Sequence, residues 1–382
     1  MTLQVKKSWY APYLRREPAS LALLTGMVVV FFTFVTGLSR IYYAQQSSLA
    51  ERWSARGETD LAAHRFGNAV DELRAALLYS RDNAPYQLSL AEALIGLNRT
   101  SEAHAYLINL WSQQPENGRV NIDLARIAAQ EGKTQQALRY YHNAIYANWP
   151  GDQEAQIRDA RVELIEYLLR IKARAQAQSE LISLQVFLGD DPSQQKQLGD
   201  LFMRTQDYEH ALSAYRVALS AEPRDHDVLA SAGAAAFDLG NYSLAVRYLQ
   251  QAQALSPKDN KSRNQLKLAE TVLRMDPFRP QISVAERNRA VVEDFTVAGD
   301  RLKACPVAAS YVSSLNPQQD LAKDWTKLKP KVTLSGLRLN PDLVNTSMTT
   351  VFSIERQANI WCGTPNDSDS ALLLIAKLHE GS

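Results

Sequence analysis

Acid–base or metal chemistry would first be sought at the six histidines: His64, His104, His142, His210, His226 and His379. No two of them stand three or four residues apart, the spacing that sets two ligands on one face of a helix. Cys305 and Cys362 are the only cysteines, and two thiolates cannot complete a four-thiolate zinc site. The chain carries no G-x-S-x-G elbow, no G-x-x-x-x-G-K phosphate loop and no dinucleotide fingerprint. Scattered carboxylates such as Asp190 and Asp191 read as turn and solvent-face residues, not as a general acid/base pair. No catalytic residue, metal or cofactor is expected, and the chain reads as a non-enzyme. The chemistry left is the cysteine pair. With no thiol left over, the two are expected as a disulfide in an oxidising compartment and as separate buried thiols in the cytosol.

Composition narrows the partners. The chain is 46% hydrophobic and 22% charged, with a formal net charge of +1. A protein that neutralises nucleic-acid phosphates needs clustered Lys and Arg. The densest such group, Lys323, Lys327, Lys329 and Lys331, is diluted by Asp320 and Asp324 and reads as a solvated helix face. No nucleic-acid partner is expected.

Sidedness rests on the N-terminus. Between Glu17 and Arg40 there is no charged residue, and residues 21–38 read LALLTGMVVVFFTFVTGL. At about 1.5 Å per residue this stretch crosses a hydrocarbon core of roughly 30 Å. Tyr42 and Tyr43 follow, rings suited to the headgroup boundary. A cleaved signal has a shorter apolar region and a small-x-small cleavage site; this run is longer and passes directly into Ser39-Arg40-Ile41. Residues 20–43 are therefore expected to be a retained membrane helix, in contact with the lipid bilayer, after a tail of residues 1–19. Lys6, Lys7, Arg15 and Arg16 precede the span, while Arg40, Arg52 and Arg56 follow it. That bias favours a cytoplasmic tail and places the bulk of the chain beyond the membrane, in a bacterium the periplasm. From residue 21 to 56 there is no proline, and the composition of residues 39–56 suits a helix running on without a linker.

A long-range period organises the chain beyond the span. Residues 192–225 carry Leu198, Gly199, Phe202, Asp207, Tyr208, Ala211, Tyr215, Ala218 and Pro223, and residues 226–259 repeat the frame with Gly233, Gly240, Tyr242, Ala245, Ala252 and Pro257. Earlier frames begin at Ala50, Ala84, Gly118 and Arg158, with residues 152–157 as an insertion. Equivalent positions hold Ala69, Ala103, Ala137, Ala177, Ala211 and Ala245, and four residues on stand Leu73, Leu107, Tyr141, Leu181, Tyr215 and Leu249. A small residue recurs at Gly57, Ala91, Ala125, Gly199 and Gly233, with Ile165 departing from the pattern. Asn98, Gly132 and Gly240 are turn formers between the paired helices. Asn98, Asn241, Asn260, Asn345 and Asn366 begin N-x-S/T triplets and read as turn chemistry.

These residues and spacings resemble the tetratricopeptide repeat, a pair of antiparallel helices with a period of about 34 residues. The resemblance covers residues 50–259. It implies an all-α fold: an α-solenoid of about six helix pairs, ended by a capping helix over residues 260–275 before Pro277 and Pro280 break the chain. Residues 281–382 show no repeat frame and read as a mainly helical accessory region. Residues 284–304 show helical spacing, Asn316-Pro317 and Asn340-Pro341 look like helix starts, and residues 371–378 form a last apolar helix.

The resemblance further implies a concave partner-binding groove lined by the first helix of each pair. Projected onto this chain, the groove holds Glu92, Arg126, Glu166, Lys196, Asp200, Met203, Arg204, Asp227 and Phe237. Asp200 follows Lys196 by one turn and would repel a peptide carboxylate, so the mixed charges suit a helix or extended segment with apolar and charged anchors. The expected function is a membrane-anchored scaffold, assembly factor or accessory subunit whose partners are other proteins, subunits of a membrane or envelope complex. The alternative is an enzyme, or a regulator of one, with its activity in residues 281–382.

Overall fold

The structure, a computed structural model, describes residues 17–306, 320–364 and 366–379. The basic N-terminal tail and the expected helix start at Asn316-Pro317 lie outside them. The described residues form 18 helices and no strand, and they divide into two compact units between Tyr167 and Leu168.

In the first unit, α1 (Glu17–Ala62) is one unbroken helix, about 69 Å long at 1.5 Å per residue. Its apolar span is bare of protein contacts, and its last turns pair with α2 (Phe66–Tyr79) as the first hairpin. α3 (Ala84–Gly96) with α4 (Thr100–Gln113), then α5 (Gly118–Gln130) with α6 (Thr134–Ile145), form the next two. α7 (Gln153–Arg170) crosses the division between the units. The inserted stretch lengthens this helix at its start, so it runs 18 residues where α5 runs 13.

The second unit continues with α8 (Arg174–Gln185), the hairpins α9 (Pro192–Thr205) with α10 (Tyr208–Ala221) and α11 (His226–Asp238) with α12 (Tyr242–Leu255), and α13 (Asn260–Met275). The repeated alanines explain how the helices of a hairpin approach. Ala69, Ala103, Ala137, Ala177, Ala211 and Ala245 have no exposed surface at all. Facing them on the first helices, a Cβ on Gly199 would sit 2.5 Å from the Tyr215 ring, and one on Gly233 would sit 2.6 Å from Leu249 Cγ. Such distances admit hydrogen only.

The reversals between paired helices fall at one frame position, held by His64, Asn98, Gly132, Lys172, Gln206 and Gly240, and all six have positive φ between 57° and 77°. Sequence signals mark Asn98, Gly132 and Gly240. His64, Lys172 and Gln206 have no preference as strong as glycine's for this conformation; the packing of both helices against their neighbours imposes the left-handed turn.

After α13, the chain enters α14 (Val284–Ala304), α15 (Leu321–Leu328), α16 (Leu334–Leu339), α17 (Leu343–Cys362) and α18 (Asp367–Leu378). Ser283 opens α14 with a reciprocal capping box to Glu286. α17 begins two residues beyond Asn340-Pro341, with Asp342 at its N-cap position making no side-chain capping bond, and Asn366 caps α18 by accepting from the Asp369 amide at 2.9 Å. α13 and these helices share one core with Tyr242 of the last repeat; Val272, Val291, Phe295, Met348, Ile354 and Leu372 lie in it. Lys267–Asp367 at 2.7 Å and Asp276–His379 at 3.1 Å align α13 and α18 in parallel. Cys305 and Cys362 are disulfide-bonded, with Cα atoms 6.1 Å apart, and tie the C-terminal ends of α14 and α17.

Candidate protein-binding site

Three first helices of the second unit present their starts side by side because their N-caps recur once per repeat. Asp191, Asp225 and Asp259 each accept a backbone N–H of the next turn, which satisfies otherwise unpaired donors and sets a carboxylate against the positive end of the helix. The Ser262 hydroxyl and the first-turn amides hold the Asp259 carboxyl below its usual range.

Between α9, α11 and the start of α13 lies a cleft of about 490 Å³. Lys196, Asp200, Met203 and Arg204 of α9 form one wall. Ala230, Ser231 and Ala234 of α11 form a floor of small residues, and Asp259, Lys261 and Gln265 form the other wall. Tyr215 reaches in from α10 and donates its hydroxyl to Asp200 Oδ1 at 2.7 Å. Lys196 Nζ donates to Asp200 Oδ2 at 2.8 Å. Asp200 thus holds both neighbours: its hydrogen bond raises the pKa of Lys196, while burial first and Asp200 second push the Tyr215 phenol well above its ordinary value. His226 lies between two carboxylates, with Nδ1 2.9 Å from Asp227 and Nε2 3.4 Å from Asp259. The Asp227 side chain is 77% exposed at the mouth.

Of the nine groove residues expected from sequence, the structure gathers five here: Lys196, Asp200, Met203, Arg204 and Asp227. Three belong to the first unit. Glu92 accepts from Arg119 Nη2 at 2.7 Å, linking α3 to α5. Arg126 donates to Asp123 at 2.9 Å within α5 and to Glu163 of α7 at 2.9 Å. The Asp123 carboxyl is raised to about 7 by burial first and by Glu92 second, against the pull of Arg126. Glu166 is exposed on α7. Phe237 is placed elsewhere: its ring meets Tyr242 edge-on at 5.2 Å and lines a hollow with Leu374, Lys377 and Leu378 of α18.

Tyr215, His226, Asp259 and Lys261 also line this cleft, and the projection from sequence misses them. Lys261 stands one full repeat after Asp227, so the period itself marks it; counting α13 as a further first helix finds it. Among the described residues, no group of three or more His, Cys, Asp or Glu side chains is placed to hold a metal ion.

Comparison with known proteins matches residues 60–127 and 196–260 to family models described as tetratricopeptide repeat. The chain is 25% identical over 265 residues to the tetratricopeptide repeat protein 21 homolog of Caenorhabditis elegans, covering 64% of this chain and 19% of that protein. The Caenorhabditis briggsae homolog is 26% identical over the same shares. The chain thus spans about a fifth of the length of these relatives. Among solved structures, it is similar to PilF of Pseudomonas aeruginosa, at 16% identity and a TM-score of 0.41 over 58% of this chain and 97% of that one. It is also similar to PilW, a type IV pilus biogenesis factor, at 17% identity and a TM-score of 0.41 over 57% of this chain and 96% of that one. The C-terminal part of a repeat-containing protein of Cytophaga hutchinsonii covers 71% of this chain, with 98% of that part matched, at 14% identity and a TM-score of 0.45.

Proposed function

We propose that this tetratricopeptide-repeat protein is a membrane-anchored scaffold, an assembly factor or accessory subunit of a membrane or envelope complex, that binds another protein through the α9–α11–α13 cleft. The cleft itself carries the reading. Its floor of Ala230 and Ala234 leaves room for a partner backbone to approach closely, and Met203 offers a deformable apolar contact. Both signs of charge line its walls. Such a surface fits a helix or extended segment carrying apolar and charged anchors in alternation. A free C-terminal carboxylate fits poorly, because Lys196 is already tied to Asp200.

Anchoring is read from α1, whose apolar span is bare along its whole length. The flanking Lys and Arg favour an outward-facing bulk, and a bonded Cys305–Cys362 pair suits an oxidising compartment such as the periplasm of a bacterium. In this reading the protein sits in the inner membrane with its repeats and C-terminal helices outside the cytoplasm.

The experiment is affinity purification from detergent-solubilised membranes, with the wild type beside Asp227→Lys, a reversal at an exposed residue. Wild type should bring down a stoichiometric set of membrane proteins by mass spectrometry, and the variant should lose at least ten-fold while keeping its melting temperature. Equal recovery with both proteins would remove the cleft from the proposal. Alkaline phosphatase joined after Ser382 should be active in a bacterial host; an inactive fusion would put the repeats in the cytoplasm.

A further inference from the structure

Two glutamates at the start of the repeats hold no cation. Glu51 and Glu58 stand two turns apart on one face of α1, both exposed. Among the described residues they accept only from the hydroxyls of Ser47 at 3.4 Å and Ser54 at 3.2 Å. Across from them lies Tyr86 of α3, whose phenol is raised by burial first and then by the charges of Glu51 and Glu58. The bases of this stretch of α1 lie elsewhere. Arg52 and Arg56 are about 100° and 140° round the helix from Glu51, and Arg56 stands over the Trp53 ring at 5.2 Å.

The repeat carries the same face on through α3 and α5. Glu58, Glu92 and Arg126 share one frame position in successive repeats, and Glu51 and Arg119 share another two repeats apart. Glu92 joins α3 to Arg119 of α5, and Arg126 joins α5 to Glu163 of α7. Asp123 lies among Glu92, Arg119 and Arg126; its side chain is 4% exposed, and its Oδ2 has no hydrogen-bond partner. The carboxylates of this face, Glu51, Glu58, Glu92, Asp123 and Glu163, thus outnumber its guanidiniums, Arg119 and Arg126, which are already committed. α3 adds no base. The cleft of the second unit differs, since Lys196, Arg204 and Lys261 match Asp200, Asp227 and Asp259 in number. A face short of donors, with an aromatic ring beside its unpaired glutamates, is complementary to cationic side chains.

We propose that this face is a second docking surface, for a basic segment of a partner protein whose Lys or Arg side chains are received by Glu51, Glu58 and the Tyr86 ring. It goes beyond the cleft, which lies in the other unit and takes anchors of both signs. Two turns of helix set the glutamates about 10 Å apart. That separation suits cations two turns apart on a partner helix, or three residues apart on an extended strand at about 3.3 Å per residue.

The test uses the full chain in micelles of a neutral detergent, with Cys305 and Cys362 left bonded. The probes are fluorescein-labelled peptides of repeated Ala-Ala-Lys units, and the same peptides with Gln or Glu in place of Lys. By fluorescence anisotropy the Lys peptide should bind tightest, the Gln peptide about five-fold more weakly and the Glu peptide more weakly still, with the Lys preference shrinking as salt is raised. Glu51→Gln with Glu58→Gln should bring the Lys peptide to the level of the Gln peptide and keep the melting temperature, because neither glutamate is paired. Glu209→Gln with Glu222→Gln removes the same charge from exposed positions of the second unit and should leave binding of the Lys peptide unchanged, as should Asp227→Lys in the cleft. No binding of the Lys peptide, equal binding of the Lys and Gln peptides, or a Lys preference that survives the loss of Glu51 and Glu58 would overturn this surface. Each of these leaves the cleft standing, since the cleft is read from native partners. An equal loss with the Glu209 and Glu222 pair, or with Asp227→Lys, would also overturn it, because binding would then follow net charge or the cleft.

Discussion

The repeat hairpins and the C-terminal helices bury different things. At each hairpin crossing an alanine is sealed against a neighbouring helix, and the ion pairs of the repeats keep one partner at the surface, Arg119 for Glu92 and Arg126 for the buried Asp123. In α14 to α18 the interior holds charge. Arg301 is almost wholly buried, its Nε 3.6 Å from Asp369 and 3.9 Å from Glu355, and its Nη2 donates to the Gly363 carbonyl just past Cys362. Neither Asp294 oxygen has a hydrogen-bond partner, and burial drives that carboxyl well above its ordinary range. A repeat matches each buried position with an equivalent neighbour one period away, so small apolar residues suffice. The C-terminal helices lack a period, and beside their apolar core one buried guanidinium, its carboxylates and a covalent tie fasten them.

The largest expected break in this contrast is with pH. Burial, and next the charge of Asp369, push Glu355 up to about 8, with Arg301 opposing; burial also raises Asp369. These folded-state values lie above those of the unfolded chain, near 4. The folded state therefore holds protons that the unfolded state releases, and stability falls as pH rises from about 4.5 to about 8. Hydrogen exchange of the α14 and α17 amides, corrected for intrinsic rates, should show opening easier by several kcal/mol at the upper end of this window. Glu355→Gln, which keeps the shape and removes the titration, should flatten most of that dependence. A variant with the wild-type pH profile would show that Glu355 is not its source.

Next in size is the covalent tie. Opening the Cys305–Cys362 bridge, which closes 57 residues, should lower the stability of the C-terminal helices by about 4 kcal/mol on chain-entropy grounds. Cys305→Ser with Cys362→Ser should lower the urea midpoint followed at Trp325 and leave amide protection in α3 to α6 unchanged. If the midpoint holds, the ion cluster alone fastens α14 to α17.

The repeats should respond to bulk instead. Ala211→Leu should destabilise the α9–α10 hairpin by about 1–3 kcal/mol through overpacking, since the native side chain has no free surface. An unchanged melting temperature would mean the crossing is looser than its geometry.

Local pattern is the source of most of what the sequence alone determined. An apolar run without charge reads as a span, and an alanine recurring once per repeat reads as a crossing, because both signals sit within one hairpin's length of chain. The same frame carried the helix pairs and five of the residues that meet in the cleft. Tertiary structure decided the rest. Asp200 pairs with both Lys196 and Tyr215, Phe237 faces a hollow shared with α18, and α17 lies parallel to α14 so that Arg301 reaches Glu355 and Asp369. No local pattern encodes these. A surface position on a first helix can face solvent, a partner or another part of the same chain, and only the long-range packing of non-repeating helices chooses among the three.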